Sequence, residues 1–305
     1  MNKISQYIFS TVLGLVVFFF WIILHPYDLS FQEQNQLFLF TWDYFLERIS
    51  VCGGLADYIA EFITQFNYVP YLGEALMALL FVIFQIVTAA SICRKEWYVL
   101  SFITPVMMLV YMNDIYVMLC YLIALIIAVS MCALYRRYPG LLLAVIATVL
   151  GYWLIGPAIF VFTLFAVLRE RNWNSLFLVA VAVLTLVVSK WTYLQQYPWK
   201  TLAFGVNYYR HALVVPPMQL VIESAAVLVP AFSDLLPKPK TYVNFALGLL
   251  IAAAGAFGCW LDYEKDVVEI IAYDQLVRQE DWDGLLERAE KYHKKILKRC
   301  IAINY

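Results

Sequence analysis

The feature that most constrains this chain is a series of apolar runs that recur from the N-terminus almost to residue 262. Each run is about as long as the helix needed to cross a lipid bilayer. Charged residues make up only 14% of the chain, whereas a soluble domain carries about a quarter. Backbone polar groups in lipid must pair within a helix or a closed barrel. The sequence therefore predicts an all-α, polytopic transmembrane bundle.

Basic residues mark one side of this bundle. They recur at Lys3, Arg94-Lys95, Arg136-Arg137, Arg169 with Arg171, and Lys238 with Lys240. Cytoplasmic loops are enriched in Lys and Arg, so we expect these positions and the N-terminus to be cytoplasmic and the tail from Asp262 to be periplasmic. The first run lacks a small-residue cleavage site, which argues against a cleaved signal peptide.

The apolar periodicity predicts about nine spans, several of them short. Between Arg137 and Arg169 lie too many residues for one ordinary span and few for two, so we expect two short helices that turn near Gly156-Pro157 and leave a cavity open to the outside. A similar turn is expected at Asn113-Asp114. The predicted helices are 6–25, 71–92, 97–112, 115–135, 140–155, 157–168, 174–195, 217–236 and 241–261.

The chain divides into a transmembrane domain, 1–262, and a tail, 263–305. The first periplasmic loop, 26–70, is too long for a plain connector. Its apolar and polar residues predict two interfacial amphipathic helices, one from Glu33 to Ile49 and one from Leu55 to Phe66, separated by Gly53-Gly54. Asp57 and Glu61, four residues apart, are expected on the polar face of the second helix.

Three carboxylates are catalytic candidates at the rim of the outward cavity: Glu33 or Asp28 as the general base, and Asp114 as a second cavity acid. Each also has a structural interpretation. Ser30 and Glu33 fit a capping box, Asp28 fits a carboxylate near the positive end of a helix dipole, and Asp114 fits a turn. Spacing alone leaves both interpretations open.

A loop rich in aromatic and basic residues follows the seventh helix. Arg210 and His211, with Lys200 and Tyr209, are candidates to bind a phosphate group of a lipid-linked donor, because Arg contacts phosphate with two parallel hydrogen bonds. The tyrosines of this loop also fit an interfacial aromatic belt. Glu223 lies six residues into an apolar run, where an acid needs a partner such as Gln219 or Ser224, or an aqueous pocket.

Other functional classes have little support. No Walker loop, HExxH, GxSxG or dinucleotide motif is present. A net charge of −1 gives no sign of a nucleic-acid partner. The six cysteines lack CxxC spacing, so we expect no metal site and no disulfide framework. No cofactor is predicted, and a requirement for a divalent cation is left open.

The tail from Asp262 is charged and amphipathic. Its pattern predicts a helical hairpin similar to a tetratricopeptide repeat, with Trp282 and Ala289 in fitting positions. A stable solenoid of this type needs about three repeats, so we expect the tail to be a fragment of a longer repeat region. Such a tail offers a surface for a periplasmic protein partner.

Four strings carry a resemblance to a known family: QEQNQLFLFTWDYF and GGLADYIAEFITQF in the first loop, and DYEKD and YDQLVRQEDWDGLLERAEK in the tail. They resemble an uncharacterised family of bacterial multi-pass proteins with a helical-repeat region after the last span. The resemblance covers essentially the whole chain. It implies a bacterial inner-membrane protein and carries no established activity.

At the level of architecture the chain is similar to the GT-C class of membrane glycosyltransferases. That resemblance implies transfer of a sugar from a polyprenyl-phosphate donor, with an Asp or Glu of the first external loop as base. Asp28 and Glu33 occupy the corresponding place, and the adjacent acidic pair usual in the class is absent. The leading hypothesis is thus a GT-C-like glycosyltransferase; the alternatives are a non-enzymatic anchor or scaffold that presents the tail, and a transporter.

Overall fold

The fold is that of a computed structural model, which describes residues 3–170, 173–205 and 216–291. Throughout these ranges the chain is helical, without a strand. Its helices, which include short 3-10 turns at Gln65–Tyr68, Lys95–Phe102 and Gly156–Ala158, are α1 Lys3–Leu24, α2 Asp28–Gln34, α3 Trp42–Ile49, α4 Gly54–Thr64, α5 Leu72–Ser91, α6 Ile103–Tyr111, α7 Leu119–Arg137, α8 Leu141–Ile155, α9 Ile159–Arg169, α10 Trp173–Thr192, α11 Trp199–Phe204, α12 Pro217–Phe232, α13 Thr241–Leu261 and α14 Lys265–Arg278.

Six helical stretches in the described ranges are long and apolar enough to cross a membrane. α10 and α13 leave most of their apolar side chains uncovered by protein, as expected of helices that face lipid. α12, with 16 residues, and α6, with nine, fall short of that length. The six stretches are Gln6–Leu24, Leu72–Ser91, Leu119–Arg137, Leu141–Arg169, Trp173–Thr192 and Tyr242–Leu261.

The stretch Leu141–Arg169 reverses direction in its middle. Gly156 has a φ of 72°, a conformation that glycine adopts without steric cost. The hydroxyl oxygens of Thr148 on α8 and Thr163 on α9 are 2.9 Å apart, although a straight helix would separate them by about 22 Å. α8 and α9 therefore form a hairpin, with its turn at the Gly156-Pro157 position that the sequence predicted.

α7 is the centre of the bundle. It packs against α4, α5 and α9 and carries the largest share of the buried side chains, among them Tyr121, Cys132 and Tyr135. A helix surrounded by protein shows no apolar stripe, because every face is covered. α5 packs along one flank of α7, and α1 packs against α5.

The first loop differs from the prediction. The expected single helix from Glu33 to Ile49 is wrong, because α2 ends at Gln34 and α3 begins at Trp42. Thr41 caps α3 by accepting a hydrogen bond from the Tyr44 amide at 3.2 Å. The extended connection between α2 and α3 contains apolar residues at a spacing typical of a helix, and this spacing explains why the sequence predicted one helix.

α4 also differs from the expected interfacial helix. It packs against α7 and α8, so Asp57 and Glu61, expected on an exposed polar face, are buried. Arg48 donates to the Glu61 carboxylate at 2.8 Å, and the Tyr44 hydroxyl donates to the same oxygen. This ion pair supplies the partner that a buried carboxylate requires.

The tail lies against the first loop. α14 is followed by a second tail helix at 282–291, and Arg288 of that helix pairs with Glu269 of α14 at 2.8 Å. The Ser30 hydroxyl of α2 donates to Gln275 of α14 at 3.3 Å. These contacts place the tail at the same end of the bundle as α2.

Candidate functional site

Several chain segments meet at the end of the bundle where α1 ends. A cleft of about 390 Å³ opens there between the α6–α7 turn, the start of α12, the end of α13 and α14. Three acids lie in its wall, and none of the described residues that line it is Lys, Arg or His. The polar and charged members of the lining are Tyr111, Asn113, Asp114, Asp262 and Glu264.

A buried histidine connects this cleft to the first loop. Nδ1 of His25 is 2.5 Å from Oδ2 of Asp28, and its Nε2 is 2.8 Å from Oδ1 of Asn113. The Asn113 amide nitrogen donates to the Cys259 carbonyl at 3.3 Å, which assigns the acceptor oxygen to the histidine. Both ring nitrogens of His25 are therefore within hydrogen-bond distance of a side-chain oxygen.

Aromatic rings enclose this histidine. The ring centroids of Phe20, Trp21 and Tyr263 lie 4.9 Å, 5.5 Å and 5.6 Å from that of His25. Trp21 and His25 are four residues apart and share one face at the end of α1. Asp28 follows in the first turn of α2. The end of α1 thus delivers the ring, and the sharp entry into α2 delivers its carboxylate partner.

Two buried polar atoms beside His25 have no hydrogen-bond partner within the part of the chain that the structure describes. They are Oδ1 of Asp28 and the indole nitrogen of Trp21, in side chains that are each 1% exposed. An unsatisfied buried polar group costs about 1–3 kcal/mol. The first atom requires a donor and the second an acceptor, so a water or hydroxyl group would satisfy either one.

Tyr263 covers the histidine from the side of the tail. Burial raises the pKa of Tyr263, and the negative charges of Asp28 and Glu269 raise it further. The phenol therefore stays neutral at physiological pH and can donate a hydrogen bond to the Leu24 carbonyl, 3.4 Å away.

The three predicted acids have different surroundings. Asp28 is buried against His25, as described. Asp114 is exposed at the cleft and accepts a hydrogen bond from the Tyr116 amide at 2.9 Å, which is the turn that its alternative interpretation expected. Glu33 is half-buried on α2, and its carboxylate forms no hydrogen bond or ion pair with any residue in the described ranges.

The predicted capping box at Ser30 and Glu33 is wrong. α2 begins at Asp28, with Tyr27 at the N-cap position, and Ser30 is already inside the helix. A capping box requires the hydroxyl to precede the first helical residue. Glu33 consequently loses its structural role at the helix start.

The predicted phosphate-binding residues are only partly within the described ranges. Lys200 is exposed on α11. Tyr209, Arg210 and His211 lie outside the described residues. The binding of a donor phosphate by these residues therefore remains a prediction.

Glu223 has the partners that an acid within an apolar helix requires. The Gln219 amide nitrogen donates to Oε1 of Glu223 at 3.0 Å. Gln219 was one of the partners that the sequence suggested. The Tyr121 hydroxyl lies 3.4 Å from the same atom. Among the described residues, no group of three His, Cys, Asp or Glu side chains is arranged to hold a metal ion.

Sequence reasoning missed His25, Asn113 and Tyr263 as members of one site. One local signal was present: His25 and Asp28 are three residues apart at the end of a span, where a polar pair is sheltered from lipid. Asn113 and Tyr263 carry no such signal, because their proximity to His25 arises only from the packing of the α6–α7 turn and of the connection after α13.

One family model matches residues 1–302; its description is Family of unknown function (DUF6057). Comparison with curated proteins and with solved structures found no match.

Proposed function

We propose that this chain, which belongs to the Family of unknown function (DUF6057), is a multi-pass membrane glycosyltransferase that takes a sugar from a polyprenyl-phosphate donor. The reaction would occur at the end of the bundle where α1 ends. The observation that carries the proposal is Asp28, a buried first-loop carboxylate with one oxygen held by His25 and the other without a donor.

Asp28 is a better candidate for the base than Glu33. Its Oδ2 is oriented by the ring of His25, which leaves Oδ1 to accept a proton from an acceptor hydroxyl. That hydroxyl oxygen would form a bond to the anomeric carbon, while the bond from this carbon to the lipid phosphate breaks and the phosphate leaves with the electron pair. A positioned base contributes about 10²–10⁴-fold to a rate.

The cleft supports binding of an acceptor beside Asp28. Asn113 lines the cleft and also holds His25, so one residue separates the cleft from the His25–Asp28 pair. The acidic wall favours the hydroxyl or amino groups of an acceptor over a phosphate. The donor phosphate is assigned to Lys200, Tyr209, Arg210 and His211, as the sequence predicted.

The first test is turnover of the donor. The full chain, purified into lipid nanodiscs, would be incubated with polyprenyl-phosphate hexoses labelled in the sugar and with a pool of polar envelope glycans. We expect Asp28→Asn to lower release of label from the lipid at least about 100-fold. Glu33→Gln, in the neighbouring turn of α2, is the matched control and should stay within about threefold.

Two results would contradict the proposal. Asp28→Asn with full turnover and an unchanged melting temperature would remove the base. A wild-type protein that releases no label from any donor would favour the scaffold alternative. That alternative has its own support, since Ile270, Trp282 and Leu286 of the tail are more than half exposed.

The proposed setting is a bacterial inner membrane with the N-terminus in the cytoplasm and the tail in the periplasm. In this arrangement the short helices α6, α8, α9 and α12 enter the bilayer together with the longer spans, giving the nine-helix topology of the sequence. The proximity of α8 to α9 supports it, because a hairpin returns Arg169 to the side of Arg137. The tail is then a periplasmic helical region available to a protein partner.

A further inference from the structure

A second polar site lies deeper in the bundle than the His25–Asp28 pair, and the proposed transfer reaction does not use it. Glu223 is six residues after Pro217, the first residue of α12, which places it about 9 Å along the helix from the outer end. An acid at such a depth in an apolar helix is costly, and acids of this kind mark ion or substrate sites.

One side chain of the same helix, Gln219, and one side chain of α7, Tyr121, contact this acid. The Gln219 amide nitrogen donates both to Glu223 and to the Phe204 carbonyl at the end of α11. The hydroxyl of Tyr121, from α7, is 3.4 Å from Glu223 Oε1 and 3.3 Å from the Gln219 carbonyl. Two polar side chains, one from α12 and one from α7, thus contact the Glu223 carboxylate, and Gln219 links it to the end of α11.

Gln219 provides a second, independent observation. Its side chain is 1% exposed, and its Oε1 has no hydrogen-bond partner among the described residues. The orientation of the amide follows from its neighbours, because Phe204 and Glu223 both present acceptors and therefore face the nitrogen. The free oxygen then requires either a hydrogen-bond donor or a cation.

The cleft at the start of α12 favours a cation as the ligand of this site. Met218, adjacent to Gln219, lines the cleft, and so does Tyr111, whose ring is 5.8 Å from that of Tyr121. The cleft wall carries Asp114, Asp262 and Glu264. A cleft lined by one sign of charge concentrates ions of the opposite sign.

The number of carboxylates indicates the charge of the ion. Divalent Ca²⁺ and Mg²⁺ sites draw on carboxylates together with carbonyl oxygens and water. Here one carboxylate, the amide oxygen of Gln219 and the hydroxyl of Tyr121 supply a single negative charge and neutral oxygens. We propose that Glu223, Gln219 and Tyr121 form a binding site for a small monovalent cation that enters through the cleft.

Binding can be measured directly on the full chain in nanodiscs. Radioactive ²²Na⁺ would be titrated at constant ionic strength with choline chloride as the balance, and unlabelled Li⁺ and K⁺ would compete. We expect saturable binding of one ion per chain, at least about tenfold weaker in Glu223→Gln and several-fold weaker in Tyr121→Phe. Glu47→Gln, which changes an exposed acid on α3, is the matched control and should bind like wild type.

Stability provides the second measurement. An ion that binds only the folded state raises the melting temperature with its concentration. We expect NaCl, LiCl or KCl to raise it over choline chloride in wild type and Glu47→Gln, and to have no such effect in Glu223→Gln.

Wild-type protein with neither saturable binding nor a cation-dependent melting temperature would overturn the inference. Full binding by both Glu223→Gln and Tyr121→Phe would also overturn it. Donor turnover is read separately, so failure of the cation site and failure of the transferase proposal are distinguishable.

Discussion

Arg136 organises the end of the bundle opposite the cleft. It donates to the Ser91 carbonyl at the end of α5 and to Oδ1 of Asp234 after α12 at 2.9 Å. Although burial raises the pKa of Asp234, hydrogen bonds from Cys93 and Arg136 and the charges of Arg136 and Arg169 hold it below its usual value. One carboxylate therefore links three helix ends.

This lowered pKa predicts a pH-dependent effect of Asp234→Asn. A carboxyl group whose pKa is lowered by folding stabilises the protein above its unfolded value of 3.8, and that contribution is lost as pH falls through the folded value. Asp234 is 41% exposed, so solvent limits the contribution to below about 1 kcal/mol. We expect the variant to melt about 2 °C lower than wild type at pH 7.

The difference should begin to shrink as the pH falls below 3.8, where the unfolded state becomes protonated, and should be lost once the pH passes the lower pKa of the folded state. Thermal unfolding in nanodiscs from pH 3 to pH 8 measures it. Asp283→Asn, on the exposed second tail helix, is the control and should shift little at any pH. A constant difference between Asp234→Asn and wild type across this range would contradict the ion-pair assignment.

Single residues show where sequence reasoning reaches its limit. Asp28 was predicted as a candidate base because an acid just outside a span is visible in sequence. Asn113, the second partner of His25, was interpreted as a turn residue, because its proximity to His25, 88 positions away, is set by packing. Glu61 was predicted on a polar face, since sequence does not show that Arg48 accompanies it into the protein.

At the scale of elements, the junction of α3 and α4 depends on two glycines. Gly53, at the N-cap of α4, has a φ of 83°. A Cβ atom on Gly54 would lie 1.7 Å from the Arg48 carbonyl oxygen. Only a movement of the backbone could relieve this clash. The close approach positions Arg48 beside Glu61 and closes α3 onto α4.

Gly54→Ala should therefore separate α3 from α4 and weaken the Arg48–Glu61 pair. Overpacking of this kind costs about 1–3 kcal/mol, which would lower the melting temperature by several degrees. Gly140→Ala is the matched control, because nothing lies within 4 Å of its added Cβ. Equal melting temperatures for the two variants would show that the junction tolerates a side chain.

The elements differ in how well sequence predicts them. The long spans α1, α5, α7, α10 and α13 and the turn at Gly156 follow from length, apolar content and glycine, which are local properties. The break between α2 and α3 was missed, because Leu37, Phe38 and Phe40 continue the apolar pattern through an extended segment. There Phe38 is buried against Tyr44 and Phe62, a tertiary contact that overrides helix periodicity.

At the scale of the whole molecule, the two ends of the bundle have different chemistry. One end holds Arg136, Asp234 and the Trp97 indole, which donates to the Pro237 carbonyl at 2.9 Å. The other holds the cleft, its acids and the tail. This polarity matches the distribution of basic loops in the sequence, and it supports a cytoplasmic position for the end that contains Arg136.

The proposed orientation and the α8–α9 hairpin can be tested together in a bacterial host. Alkaline phosphatase is active only in the periplasm and green fluorescent protein folds best in the cytoplasm, so each would be inserted after Tyr138, after Glu170, after Tyr193 and after Tyr305. We expect fluorescence at Tyr138 and Glu170, because the hairpin returns the chain to the cytoplasmic side, and phosphatase activity at Tyr193 and Tyr305. Opposite signals at Tyr138 and Glu170 would mean that Leu141–Arg169 crosses the membrane as one span, which would remove the short helices on which the proposed topology depends.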